Sequence, residues 1–291
     1  MTTGAITSAR PRHSLRVRGE SRRLGDRTWL MGILNVTPDS FSDGGRHADA
    51  GRAVEHALTL FSLGADVVDV GGESTRPGSV RVEAAEEIRR VVPVLRGLRD
   101  QGAGLLSIDT TRAEVARAAL DAGADMVNDV SGFRFEPTLA RVVAAAGAPA
   151  VLMHLRGDFA TMHEAPRYRD VLGEITAELR ESLALAREAG IEPSQLILDP
   201  GIGFAKNAAH SLETLLRLHE LHELGRAILV GPSRKSFIGK ALEGPAHERQ
   251  FGTAAAVAAC VLSGAHIVRV HDVREMAQVV RVCDAILGSA A

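Results

Sequence analysis

The chain has 291 residues, of which 45% are hydrophobic and only 3% aromatic, and its formal net charge is −2. This charge gives no general attraction to nucleic acid or to an anionic membrane, and so few aromatic rings argue against base-stacking surfaces. No apolar stretch approaches the roughly 18 residues of a membrane-spanning helix. The sequence therefore predicts a cytoplasmic protein in which any anionic ligand is held by local cations.

The first part of the chain differs in composition from the rest. Residues 1–14 are polar and basic and lack the hydrophobic core of a secretory signal, so we predict a disordered N-terminal tail. Leu15–Arg18 and Thr28–Trp29 flank a run of turn residues and predict a short hairpin at the base of the following domain. We assign residues 15–291 to a single domain.

From Trp29 onward, short apolar runs alternate with segments of helical periodicity. Parallel strands that are covered on both faces are nearly all apolar, so we interpret the runs as strands. They lie at about 29–35, 66–71, 105–109, 126–130, 149–154, 196–199, 227–231 and 267–271. The helical patterns lie at about 49–63, 83–101, 112–122, 137–146, 171–189, 210–224, 234–262 (broken near Gly244-Pro245) and 273–287. Eight such units predict an α/β fold, a single (β/α)8 TIM barrel with a short N-terminal hairpin, which typically needs roughly 250 residues.

A weak internal repeat supports this count. Gly-Ala pairs stand at four helix-to-strand junctions, at residues 64–65, 123–124, 147–148 and 264–265. Glycine at these junctions supplies a left-handed cap that lets the chain turn back. Gly-Ala pairs are also common by chance in a chain with 29 glycines, and an open doubly wound sheet alternates strands and helices too. The barrel is favoured over that alternative but does not follow from the repeat alone.

Polar side chains end three of the predicted strands. Asp109, Asn128 and Asp199 would lie together at the carboxyl end of a barrel, where chemistry is expected. Carboxylates accept paired N–H donors, and an amide both donates and accepts, which suits a flat heterocycle. The alternative is that each Asp only caps the following helix.

Cationic residues follow the last two strands. Lys235 lies in a Ser-Arg-Lys-Ser segment that opens a predicted helix, where it suits an anion or a carbonyl edge. Arg269 and His271 are two positions apart and so share one face of a strand. A buried Arg is costly without an anionic partner, which makes this pair the strongest local signal. Asn35 offers an oxygen that suits Mg2+, since this cation also binds phosphate oxygens.

Two further residues have more ordinary interpretations. His154 ends the fifth barrel strand, but partners at metal-ligand spacing are not evident, so we predict a structural hydrogen-bonding role. Arg76 adds a cation on a Gly- and Pro-rich loop, which is more often a plain connection than a lid.

Seven segments together resemble dihydropteroate synthase. They are Asn35–Gly45 (NVTPDSFSDGG), Asp69–Gly78 (DVGGESTRPG), Ser107–Thr110 (SIDT), Asn128–Gly132 (NDVSG), Asp199–Lys206 (DPGIGFAK), Ser233–Phe237 (SRKSF) and Arg269–Asp272 (RVHD). The likeness runs in order from about residue 29 to residue 288. It implies a TIM-barrel transferase of folate synthesis, usually a cytoplasmic homodimer and a target of sulfonamides. Such an enzyme condenses 6-hydroxymethyl-7,8-dihydropterin diphosphate with p-aminobenzoate, forming 7,8-dihydropteroate and releasing pyrophosphate.

The resemblance also implies roles for individual residues. The catalytic set would be Lys235, Arg269, His271 and Arg76. Pterin diphosphate would be bound by Thr75, Asp109, Asn128, Asp199, Lys235, Arg269 and His271. The p-aminobenzoate pocket would be lined by Phe41, Arg76, Pro77, Phe204 and Ser236, and Asn35 would bind Mg2+.

Two other functions compete with this prediction. A pterin-binding methyltransferase would share the barrel and the acidic contacts, but it would not need this set of cations to manage a diphosphate. A catalytically silent relative that binds pterin or a protein partner should have lost some cation at the mouth, and this sequence keeps all of them.

Overall fold

The computed structural model describes residues 10–37, 45–74, 81–159, 161–162, 167–242 and 249–288. The strands are β1 (His13–Val17), β2 (Glu20–Leu24), β3 (Trp29–Asn35), β4 (Val67–Gly71), β5 (Leu105–Asp109), β6 (Met126–Asp129), β7 (Ala150–Met153), β8 (Leu196–Asp199), β9 (Ala227–Val230) and β10 (Ile267–Val270). Strands β3 to β10 are parallel and form a closed barrel, while β1 and β2 form an antiparallel pair. The predicted barrel and the presence of a hairpin are therefore confirmed. The second strand of the hairpin is wrong, because it is β2 (Glu20–Leu24) and not the predicted Thr28–Trp29 segment, of which Trp29 belongs to β3.

Helices follow the barrel strands and surround them. They are α1 (Gly45–Ser62), α2 (Ala84–Asp100), α3 (Ala113–Asp121), α4 (Thr138–Ala146), α5 (Val171–Glu188), α6 (Ala208–Leu216), α7 (Ser236–Leu242), α8 (Gln250–Leu262) and α9 (Val273–Ile286). The longest of these are not apolar enough to cross a membrane, as far as the described residues extend.

The two-residue period of each strand divides the barrel into two layers of core. One set of side chains, including Leu30, Val68 and Leu106, packs under the helices. The alternate set, including Met31 and Val67, fills the barrel interior. Its full list is Trp29, Met31, Val67, Met126, Val151, Ile197, Ala227, Leu229 and Ile267, joined by Leu15 and Leu24 of the hairpin. The hairpin therefore closes the base of the barrel with its own apolar side chains.

The Gly-Ala repeat marks the turns into four barrel strands. Its glycines have positive φ values, +109° at Gly64, +108° at Gly123, +61° at Gly147 and +96° at Gly264. A residue with a Cβ is strained in this left-handed region, which is why glycine stands there. The caps predicted from the sequence are confirmed.

Three of these Gly-Ala pairs are followed by a polar residue that forms two hydrogen bonds to the neighbouring strand. These residues are Asp66, Asp125 and His266. Each donates its backbone N–H to a carbonyl of the neighbouring strand and accepts the N–H of that same strand residue on its side chain. The pairs are Asp66 with Leu30 (2.8 and 2.9 Å), Asp125 with Leu106 (both 2.7 Å) and His266 with Ile228 (2.8 and 2.9 Å). At three of the four places where the repeat occurs, it is therefore followed by the same pair of hydrogen bonds between the turn and the neighbouring strand.

Three predicted boundaries are wrong. The tail does not extend to residue 14, because β1 begins at His13 and Arg10 is buried, where it forms an ion pair with Asp284. The predicted helix at 210–224 is α6 followed by a 3-10 helix, Leu218–Leu224. The helical pattern predicted at 234–262 starts only at Ser236, where α7 begins, because Arg234 has a φ of +59° that no α-helix accommodates.

Candidate active site

The carboxyl ends of the barrel strands bring the predicted polar residues together. The strand register places Asn35 beside Gly71, Gly71 beside Asp109, and Asp109 beside Asn128. One interior position deeper on β4 lies Asp69, which is fully buried. The polar residues of four strands therefore form the uppermost layers of the barrel interior, where active sites of this fold lie.

Arg269 joins these strands to β10. Its Nε donates to Oδ2 of Asp69 at 2.6 Å, and its Nη2 donates to Oδ2 of Asp109 at 2.7 Å. The amide of Asn128 donates to the same Asp69 oxygen at 2.9 Å. The guanidinium is therefore fixed by two carboxylates, which supply the anionic partners that its burial requires.

Burial shifts the pKa values of two carboxyl groups in this layer. It raises the pKa of Asp109 to about 7, although the nearby charge of Arg269 acts in the opposite direction. It also raises the pKa of Asp199 to about 6, opposed by a hydrogen bond from the backbone N–H of Gly201 (2.7 Å) and by the charge of Lys235. Both carboxylates are costly to ionise here until a ligand donates hydrogen bonds to them.

Lys235 lies on the opposite side of this layer. Its ammonium group is 3.9 Å from the centre of the Phe204 ring, a cation–π contact. Burial lowers its pKa to about 8, and the charge of Arg269 lowers it further, while Asp199 and Asp109 raise it. Gly203 leaves room for the side chain, since a Cβ there would lie 3.2 Å from Cδ of Lys235.

The loop between β9 and α7 also holds His271. The hydroxyl of Ser233 is 3.0 Å from Nδ1 of His271 and accepts the backbone N–H of that residue at 3.3 Å. Between Ser233 and Lys235, the left-handed Arg234 turns outward and forms an ion pair with Asp272, with Nη2 to Oδ1 at 2.5 Å. This turn directs the two neighbouring side chains toward the barrel mouth.

Asn35 approaches the acidic layer across a glycine. A Cβ at Gly71 would lie 3.8 Å from Oδ1 of Asn35 and 3.9 Å from Oδ2 of Asp109. The absence of a side chain at Gly71 therefore leaves space between these two oxygens, of which Oδ2 of Asp109 already accepts a hydrogen bond from Arg269. Among the described residues, no group of three His, Cys, Asp or Glu side chains could hold a metal ion. The amide oxygen of Asn35, beside the space at Gly71, is the kind of ligand that suits a Mg2+ ion taking few protein oxygens and completing its shell from phosphates and water.

The remaining predicted residues have different outcomes. Phe204 is half-buried and packs in a cluster with Met153, Leu155 and Phe159 above the barrel. Ser236 is exposed at the first position of α7, next to Lys235. The residues Phe41, Thr75, Arg76 and Pro77 lie outside the described residues.

Sequence reasoning missed two residues of the site. Asp69 stands in the middle of an apolar strand, not at its end, yet the argument applied to Arg269 would have found it, because a buried charge needs a partner. Lys206 follows the DPGIGFA run and is only 7% exposed. Its signal is its residue type, because the chain has 31 arginines and only three lysines.

Comparison with known proteins decides the family. The family model described as "Pterin binding enzyme" matches residues 31–271. The chain is 51% identical over 263 residues to a dihydropteroate synthase of Synechocystis sp., covering 90% of this chain and 91% of that protein. The chain belongs to the dihydropteroate synthase family.

Solved structures of dihydropteroate synthases agree with the fold. That of Xanthomonas albilineans with 4-aminobenzoic acid matches with a TM-score of 0.88 at 44% identity, covering 95% of this chain and 98% of that one. That of Yersinia pestis in a sulfonamide drug complex matches with a TM-score of 0.88 at 41% identity, covering 94% and 99%. The family resemblance inferred from the seven segments is confirmed.

Proposed function

We propose that this chain condenses 6-hydroxymethyl-7,8-dihydropterin diphosphate with p-aminobenzoate, forming 7,8-dihydropteroate and pyrophosphate. The observation that carries the proposal is the arrangement at the barrel mouth, in which the buried Asp69 and Asp199 and the partly buried Asp109 face the cations Arg269 and Lys235. This arrangement suits a substrate with a hydrogen-bond-donating heterocycle at one end and a diphosphate at the other. The dihydropteroate synthase relatives support the same conclusion.

The pterin ring would bind to Asp109, Asn128, Asp199 and Lys235. The raised pKa values of the two acids favour this, because N–H donors of the ring would stabilise carboxylates that the empty barrel stabilises poorly. Asp69 would act through Arg269 and Asn128, which it holds by hydrogen bonds of 2.6 and 2.9 Å.

The diphosphate would be bound by Arg269 and His271, with Thr75 as a further contact. Arg269 is fixed by its two carboxylate partners, so little reorganisation is needed when charge develops on the leaving oxygen. His271 is positioned by Ser233 at 3.0 Å. Both groups would offset the charge that pyrophosphate carries as it departs.

Asn35 would hold Mg2+ beside the diphosphate, in the space that Gly71 leaves open. When bound, the ion supplies further compensation for the negative charge of the leaving group.

The arylamine would bind above the pterin. Phe204 and Ser236 would line its pocket together with Phe41, Arg76 and Pro77, and Arg76 would assist catalysis. The family structures with 4-aminobenzoic acid and with a sulfonamide support such a pocket. Sulfonamides, which mimic the arylamine, are therefore expected to compete for it.

We hypothesise that the substitution is dissociative. Departure of pyrophosphate would leave a cation-like methylene whose charge spreads into the pterin ring, where Asp109 and Asp199 counter it. The neutral arylamine then attacks and needs positioning more than activation. Closure of the loops after β3 and β4 would exclude water, which could otherwise intercept the cation.

A homodimer is also proposed, with a cytoplasmic location. Helices α6, α7 and α8 pack against one another and expose four large apolar side chains, Leu212, Leu216, Leu242 and Phe251, which we call the α6–α8 patch. Phe251 is 85% exposed and Leu216 76%. Such a patch marks an interaction surface, and a second copy would cover it. Sedimentation should give twice the mass of the chain. The Phe251→Glu variant, which places a charge in the α6–α8 patch, should sediment with a lower mass.

The test of the activity is direct. Purified protein is incubated with Mg2+, the pterin diphosphate and labelled p-aminobenzoate, and labelled dihydropteroate and pyrophosphate are expected in equal amounts. Pterin binding without product would favour the silent relative, and methyl transfer from a folate would favour the methyltransferase. Either result would overturn the proposed function.

A further inference from the structure

In the loop between β8 and α6, every second residue from Gly201 to Ala205 has a left-handed backbone conformation. Gly201, Gly203 and Ala205 have φ values of +69°, +78° and +48°. Glycine adopts this region freely, but at Ala205 the left-handed conformation costs on the order of 1 kcal/mol or more. A loop of this shape persists only when contacts from outside fix it. The loop carries Phe204, whose ring touches Lys235.

Two side chains hold this loop from the side of β7 and α5, the half-buried Tyr168 and the buried His154. The hydroxyl of Tyr168 donates to the carbonyl of Ala205 at 3.0 Å. The ammonium group of Lys206 donates to the carbonyl of Phe204 at 3.1 Å and lies 2.9 Å from Nδ1 of His154. The backbone of His154 also touches the loop, since a Cβ at Gly201 would lie 2.0 Å from its carbonyl oxygen.

The protonation states make Lys206 and His154 a directed pair. Burial and the nearby charge of Lys206 together lower the pKa of His154 to about 3, so the ring is neutral, and burial lowers the pKa of Lys206 itself to about 7. Nδ1 therefore accepts from Lys206, while Nε2–H donates to Glu178 at 3.0 Å. Glu178 is held in turn by Arg156, with Nε to Oε1 at 2.7 Å. The hydrogen-bonding role predicted for His154 is confirmed.

The use of lysine at this position is informative. The chain has 31 arginines and only three lysines, and two of those, Lys206 and Lys235, lie at the barrel mouth. A lysine concentrates its donors on one small group, which can bond to a carbonyl and a ring nitrogen inside a tight space. Lys206 is 7% exposed and His154 1%.

We propose that Lys206 and His154 form a positioning pair that holds Phe204 under Lys235 and thereby sets the affinity for the arylamine. The pair acts through the carbonyl of Phe204 and not by contact with a substrate. The inference rests on the proposed function, in which Phe204 lines the arylamine pocket. It extends that function to two residues that lie behind the pocket.

The test is the Lys206→Met variant, which keeps the length of the side chain and removes its donors. The KM for p-aminobenzoate should rise at least about tenfold and by a clearly larger factor than the KM for the pterin diphosphate. The strands that carry Asp109 and Asn128 are untouched, whereas Asp199 feels the charge of Lys206 and so allows a smaller change in the pterin constant. Lys206→Gln, which can still donate, should recover part of the arylamine affinity. The exposed Lys240→Met serves as control and should match the wild type in both constants.

A second control separates the proposed effect on arylamine affinity from a general loss of stability. Val115→Ala in α3 removes buried volume far from the loop and serves as a variant with a lowered melting temperature and two unchanged KM values. An unchanged arylamine KM in Lys206→Met, or an equal rise of both KM values, would overturn the inference. Absence of product in the wild type would refute the proposed function instead, so the two failures are distinguishable.

Discussion

The two ends of the barrel both bury charged groups, but they treat them differently. At the base, Asp284 accepts the backbone N–H and the hydroxyl of Thr28, both at 2.8 Å, and forms an ion pair with Arg10. Asp125 similarly accepts the N–H of Leu106 and forms ion pairs with Arg18 and Arg99. Asp284 and Asp125 thus each have several donors.

At the mouth, several buried charged and polar side chains lack such a set of hydrogen-bond partners. The pKa of Asp109 is raised to about 7 and that of Lys235 is lowered to about 8, in each case chiefly by burial. Oδ1 of Asp69 and the hydroxyl of Ser107 are buried without a hydrogen-bond partner among the described residues. The base is therefore built for stability, while the mouth keeps polar capacity that a ligand can use.

The largest effect on activity should come from Lys235→Ala at the mouth. Loss of a positioned cation should lower kcat/KM by about 10²–10³-fold. The melting temperature should stay near that of the wild type, because the side chain is not part of the barrel core. Steady-state kinetics and thermal unfolding measure the two properties; normal turnover would refute the assignment of Lys235.

The converse change is Asp284→Ala at the base. It leaves Arg10 buried without its carboxylate and should lower the free energy of unfolding by about 3–5 kcal/mol. The kcat/KM of the folded protein should not change. Denaturant unfolding with the exposed Asp100→Ala as control tests this, and a selective loss of activity would break the division between base and mouth.

A smaller effect is expected from Asp199→Asn. Asparagine can still accept the N–H of Gly201 but lacks the charge that would bind the pterin N–H donors. The Kd of the pterin diphosphate should rise by about tenfold to a hundredfold, equivalent to about 1.4–2.8 kcal/mol. Calorimetry should show a smaller change in Mg2+ affinity, and the reverse order would contradict the proposed roles.

The last effect concerns the pH dependence of stability and a histidine at the base. Burial lowers the pKa of His266 from 6.5 to about 3, and the charges of His13, His222 and Arg10 act in the same direction. The unfolded chain therefore binds a proton that the folded chain rejects, so stability is full above about 6.5 and is lost as the pH falls toward 3. His266→Gln should reduce the slope of the unfolding free energy against pH by up to about 1.4 kcal/mol per unit. An identical slope would show that His266 does not contribute.

Much of the mouth could be predicted because each barrel strand is short and apolar and several end in a polar residue. Asn35, Asp109 and Asn128 were found by this rule, and the strand register confirms that they lie side by side. Asp69 was missed because it interrupts a strand instead of ending it.

Other features depend on contacts that no local pattern contains. The partner of Arg10 is 274 residues away, so the burial of this arginine could not be inferred from a basic N-terminal segment. The left-handed turn at Arg234 is held by Asp272 and by the hydroxyl of Thr253, which accepts its N–H at 3.2 Å. In both cases the local sequence favours one conformation, a solvated basic segment or a helix start. Contacts with residues far along the chain impose a different one.

The most direct test of the central claim is a crystal structure of this protein with 7,8-dihydropteroate and pyrophosphate. The account predicts the pterin ring among Asp109, Asn128, Asp199 and Lys235, with pyrophosphate at Arg269 and His271 in the same cavity. Ligands bound at the base, or pterin and pyrophosphate in separate cavities, would contradict it.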